Sequence, residues 1–171
     1  ALLLTLGLAG CGPADSPGST RDVHTLAERG ETAPLLAALA TGDSVDRRDA
    51  CYRTPLMFAA QFGHADTVRD LLAAGARPNL HEKGYYTALM LAAGNGHTEV
   101  VRLLAEAGAS VDEVEITHRW TALIWASKRG HQETVELLLG LGADRSARDD
   151  QGWTARDWAL AQGHEAVAAL L

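Results

Sequence analysis

The chain has 171 residues, 47% of them hydrophobic, and carries a formal net charge of -7 with a pI near 5.4. That length suits one ordinary domain with a real core, and the acidity argues against a surface for nucleic acid or anionic membrane, which needs clustered Lys and Arg. With only four Trp, three Tyr and two Phe, Ala and Leu must supply most of the buried surface, which favours closely packed helices.

Residues 1–10, ALLLTLGLAG, form an apolar run that gives way at Cys11 to the turn-rich GPADSPGST. The run is too short for a transmembrane span, which needs roughly 18 to 20 apolar residues, and it reads as the later part of a secretory signal peptide that begins upstream. Leu8-Ala9-Gly10-Cys11 resembles the lipobox of bacterial lipoproteins. The resemblance implies cleavage before Cys11 and lipidation of its thiol. Gly12, which is not Asp, implies sorting to the outer membrane with the folded part on the periplasmic side. Residues 11–20 are then a lipidated cysteine and a flexible linker.

From there onward one pattern repeats. Thr54, Thr87, Thr121 and Thr154 stand 33, 34 and 33 residues apart. Gly63-His64, Gly96-His97, Gly130-His131 and Gly163-His164 keep the same register, as do Gly75-Ala76, Gly108-Ala109 and Gly142-Ala143. A weaker copy precedes them, with Gly30 and Gly42 one period before Gly63 and Gly75. This pattern resembles the ankyrin repeat. The resemblance implies an all-α solenoid of stacked helix-turn-helix units with hairpin-like loop fingers over residues 21–171, about five repeats in all. The first is degenerate and serves as a cap, and the last is truncated.

Within a unit the periodicity supports the same architecture. Leu89, Ala92, Ala93 and Gly96 share one face of a first helix, and Val101 and Leu104 one face of a second. The four threonines are placed to cap first helices through their hydroxyls, and Pro55 suits a first turn. The Ala pairs at 59–60 and 92–93, and Ala126 with Ser127, let neighbouring helices approach closely. In many ankyrin repeats a His lies three after the Thr; here Met57, Met90, Ile124 and Asp157 stand there. The turn Gly two before Thr survives as Gly152 but is replaced by Tyr52, Tyr85 and Arg119. Those tips are expected to use another turn, in the second finger through Gly84.

Catalytic and metal chemistry find little support. Four of the seven histidines belong to the Gly-His pairs, one repeat apart, too far to share an ion; they are expected to bond backbone at the helix–helix turn. No metal or other cofactor is expected. Cys51 is expected at a finger tip, as an incidental buried or partly shielded small residue in preference to a reactive exposed thiol, with a disulfide to Cys11 disfavoured. A thiol-dependent or redox-active envelope protein centred on Cys51 is the alternative function, weighed against Cys51 as an incidental buried small residue.

The aromatics point elsewhere. All of them lie in the loops or first helices. At 100° per residue, positions four and eight after each Thr fall off the buried face, so Phe58, Phe62, Trp125 and Trp158 are expected to face a groove, with Leu91 at the equivalent place in the third unit. Tyr52, Tyr85, Tyr86, Trp120 and Trp153 sit just before the threonines. Lys128 and Arg129 add a small basic island, and one extra residue lengthens the third finger around Ile116, His118 and Arg119. The family resemblance implies that first helices and fingers line a concave partner-binding face, so these residues are the expected binding surface. The function expected is a non-enzymatic, monomeric protein–protein interaction scaffold of the bacterial cell envelope. It contacts the membrane only through its lipid anchor and takes neither nucleic acid nor a small-molecule substrate.

Overall fold

Short helices arise here because caps and turn residues recur before and after every run of Ala and Leu. The computed structural model describes residues 22–171; the expected signal peptide, Cys11 and the linker lie outside them. Ten α-helices run in chain order among the described residues: α1 (Val23–Arg29), α2 (Thr32–Ala40), α3 (Pro55–Gln61), α4 (Ala65–Ala73), α5 (Ala88–Gly94), α6 (Thr98–Glu106), α7 (Ala122–Lys128), α8 (Gln132–Gly140), α9 (Ala155–Ala161) and α10 (Glu165–Ala168). Odd-numbered helices pack on one another in sequence, even-numbered ones form a second row, and each odd helix also packs on the even helix that follows it. The result is an all-α stack of helix pairs, with loop fingers joining one pair to the next. No helix among the described residues is long and apolar enough to cross a membrane.

Four of the odd helices start alike. Thr54, Thr87, Thr121 and Thr154 are extended residues whose hydroxyls accept the backbone N–H of Met57, Met90, Ile124 and Asp157. Pro55 occupies the first turn of α3, where its missing N–H costs nothing. In the last unit Asp157 reciprocates by accepting the Thr154 N–H at 2.9 Å, so that copy carries a full capping box.

The three inner odd helices, α3, α5 and α7, are enclosed by their neighbours. Every residue of α5 is buried, as are residues 55–60 of α3 and 122–127 of α7. Ala59, Ala60, Ala92, Ala93 and Ala126 have no exposed surface, the close approach that a small side chain permits. Even helices bury one stripe only, for example Val100, Val101 and Leu104 of α6, and leave Glu99, Arg102 and Glu106 in water.

The Gly-His pairs tie the rows together. The Nε2 of His64 bonds the Glu28 carbonyl at 2.8 Å, that of His97 the Gln61 carbonyl at 3.0 Å, and that of His131 the Gly94 carbonyl at 3.1 Å. These imidazoles do bond backbone at the turns, as expected, but each reaches into the preceding repeat. A carbonyl only accepts, so each ring donates from Nε2. The same rings fill the space beside the preceding glycines: a Cβ on Gly63 (φ +77°) would stand 2.6 Å from His97 Nδ1, and one on Gly96 (φ +74°) 2.6 Å from His131 Nδ1. Glycine and histidine therefore recur together because the glycine of one repeat receives the histidine of the next. Burial holds the His97 and His131 imidazoles below the usual histidine range, only partly offset by their carbonyl bonds.

Candidate functional site

The fingers are built on a ladder of carboxylates that begins five or six residues before each Thr. Asp49 accepts the backbone N–H of Cys51 and Arg53, both at 2.8 Å, and binds the Arg53 guanidinium. Glu82 accepts those of Gly84 and Tyr86. Glu115, with no exposed surface, accepts those of Thr117, His118 and Trp120 at 2.6, 2.8 and 3.1 Å. Asp149 accepts those of Gln151 and Trp153. Each carboxylate satisfies the backbone donors of a tight turn that has no other means of pairing them. These residues are missing from the sequence reading, although their spacing of 33, 33 and 34 is readable there.

The turns themselves correct another expectation. Tyr52, Tyr85 and Arg119 adopt φ values of +65°, +65° and +62°, the left-handed conformation that Gly152 adopts at +82° in the last finger. One turn type is kept at all four tips, with large side chains in a conformation that costs them roughly 1 to 2 kcal/mol each. Gly84 does not take over the turn. Neighbouring tips are stitched by backbone bonds: Lys83 N–H to the Cys51 carbonyl, Ile116 N–H to the Gly84 carbonyl, and Asp150 N–H to the His118 carbonyl.

The expected binding residues divide into two groups. Tyr52, Phe62, Tyr85 and Trp153 are exposed, as is Arg119; Trp158, His118, Lys128 and Arg129 are half-buried. Phe58, Tyr86, Leu91, Trp120 and Trp125 are buried instead. The helical projection that turned Phe58, Leu91 and Trp125 outward considers one helix alone. In the stack, the Arg53 guanidinium lies 4.4 Å from the Phe58 ring centroid, and Trp120 meets Trp125 edge-on at 4.5 Å. Tyr86 packs against Trp125 at 6.0 Å, and burial, with the Glu115 charge next, pushes its phenol up to about 12.

Toward the carboxyl end these rings form one cluster. Asp149 Oδ2 accepts the indole N–H of Trp120 at 3.1 Å and of Trp158 at 2.8 Å. The Lys128 ammonium lies 4.0 and 4.1 Å from the centroids of those two rings, and Trp153 packs on Trp158 at 5.0 Å. Burial would raise the Asp149 carboxyl, but hydrogen bonds from the Trp153 backbone, both indoles and Gln151 outweigh it and hold it below the usual range. Burial, helped by Arg129, lowers the Lys128 ammonium, with Asp149 working the other way. The basic island is thus partly spent on packing.

Cys51 lies in the first finger and is only 2% exposed, as the reading of it as a buried small residue expects. Its thiol is not free but disulfide-bonded, which corrects the expectation that a disulfide is disfavoured. No cluster of His, Cys, Asp and Glu with metal-binding geometry occurs among the described residues.

A family model described as Ankyrin repeats (3 copies) matches residues 23–115 and, in a second match, residues 111–171. No curated protein matches the chain.

Proposed function

The chain belongs to the ankyrin-repeat family, and on that premise we propose that it is a non-catalytic scaffold that holds a partner protein against its fingers and odd-numbered helices. One observation carries the reading. Of the large apolar side chains that remain exposed among the described residues, Tyr52, Tyr85, Val114, Ile116 and Trp153 lie on fingers and Phe62 and Leu160 on or at the end of odd helices; only Leu141 ends an even helix. Apolar surface left uncovered on one side of a stack is what a docking partner would bury. The test is co-purification after crosslinking in cells. Combining Phe62→Ala, Tyr85→Ala and Trp153→Ala should remove the crosslinked partner, and Leu141→Ala should leave it. Equal loss from both would sink the proposal.

We also place the scaffold at the bacterial envelope, tethered through lipidated Cys11 on the periplasmic side of the outer membrane; the support is the sequence Leu8-Ala9-Gly10-Cys11-Gly12. The chain has two cysteines, so a thioether at Cys11 and a disulfide between Cys11 and Cys51 exclude one another. Metabolic labelling with a fatty-acid analogue should mark the full-length precursor's product and fail for Cys11→Ser. A mass showing a Cys11–Cys51 disulfide and no acyl group would remove the tether. The buried, engaged state of Cys51 gives the thiol-dependent alternative no support of its own.

A further inference from the structure

The first two finger tips carry side chains that the fold itself does not require. Tyr52 and Tyr85 hold left-handed turns that glycine would hold without strain, and half of each side chain is in water, 50% and 47% exposed. Burial therefore does little to offset the conformational cost. Together with Arg48, His81, Glu82 and Lys83 they line a shallow cavity of about 210 Å³. Tyr85 stacks on His81 at 4.1 Å and 8°, which fixes one wall. Arg48 and Lys83 stand 5.4 and 5.6 Å from the Tyr52 ring centroid and form the rim.

The charge at this spot opposes that of the whole chain. Asp43, Asp46 and Asp49 are bound by Arg47, Arg77 and Arg53, and Glu82 is 3% exposed and turned to backbone N–H groups. Arg48 and Lys83 are exposed and form no ion pair among the described residues. A chain of net charge -7 thus presents two unneutralised cations beside two exposed phenol rings.

We propose that the tips of the first two fingers bind an acidic segment of the partner protein, with its carboxylates on Arg48 and Lys83 and an apolar or aromatic side chain between Tyr52 and Tyr85. This rests on the reading of the chain as a protein-binding scaffold. An acidic peptide supplies both the charge and the apolar group that the cavity can take. An acidic polysaccharide supplies only the charge, and the lining holds no Asn or Gln amide to meet its hydroxyls.

The test is selection of a displayed random peptide library on the full chain, with the recovered peptides synthesised and titrated by fluorescence anisotropy. Recovered peptides should be net acidic and carry an apolar or aromatic residue. Arg48→Glu with Lys83→Glu should weaken them by about tenfold or more. Tyr52→Gly with Tyr85→Gly should weaken them likewise while leaving the melting temperature unchanged or raised, which separates loss of binding from loss of fold. Recovery of neutral or basic peptides, recovery of none, or binding untouched by either double variant overturns the proposal. So does alginate binding where the peptides do not. A partner still crosslinked in cells to the Arg48→Glu, Lys83→Glu chain would leave the scaffold reading standing and remove only this one.

Discussion

The two ends of each helix pair obey different rules. At the helix–helix turn, Gly30, Gly63, Gly96 and Gly130 each receive the histidine of the following repeat in nearly the same geometry. At the finger tip the backbone is equally constant, left-handed over a buried or half-buried carboxylate, yet the residue there is Tyr, Tyr, Arg and then Gly. Wherever one repeat is followed by another, the turn is a joint whose glycine must receive the next histidine, so the glycine cannot vary there. The tip needs only its carboxylate and its dihedral angles; what projects from it is left to other uses.

That contrast can be broken at its strongest point first. Glu115→Ala strips three backbone N–H groups of an acceptor that is itself fully buried, and should cost about 3 to 4 kcal/mol in denaturant unfolding. Trp120 fluorescence should report local opening of the third finger. Next, Gly96→Ala should cost about 3 kcal/mol, combining a strained φ of +74° with a clash against His131. Gly163→Ala, where φ is +77° but nothing lies within 4 Å, should cost about 1 kcal/mol. Equal costs at the two glycines would show that the histidine contact does not matter.

A smaller effect of opposite sign is expected at Ser127. It sits where earlier repeats hold Ala60 and Ala93, fully buried, with a hydroxyl that finds no hydrogen-bond partner among the described residues. Ser127→Ala should stabilise the chain by about 1 kcal/mol, seen as a raised denaturant midpoint at unchanged slope.

Acid should loosen the joints before the tips. The His97 and His131 values are depressed in the fold, so their contribution is complete above the unfolded-chain value near 6.5 and is lost as pH falls from there through the folded values. Asp149 is also depressed, but its contribution persists until pH falls below about 3.9. Thermal stability should therefore decline below about pH 6.5, and His97→Gln with His131→Gln should flatten that decline. An unchanged slope in the double variant would contradict the assignment.

The repeat architecture was legible because caps, turns and joints recur at one period, and each landmark has a local physical reason that a sequence displays. Thr87 caps α5 and His97 bonds backbone as its position implies. What was not legible depends on neighbours. Projection of one helix sent Phe58 and Trp125 outward because it cannot include Arg53, Tyr86 and Trp120, which close over them. The tips were expected to abandon the left-handed turn because propensity favours glycine there; the carboxylates at 49, 82 and 115 hold it regardless.

The claim that binding lies on the variable side of this divided scaffold is tested most directly by a photo-crosslinking amino acid placed singly at Tyr85, Trp153 and Arg102 in cells. A discrete protein adduct is expected from the two finger positions and none from Arg102, which is exposed on α6. An adduct from Arg102 with none from Tyr85 or Trp153 would contradict it.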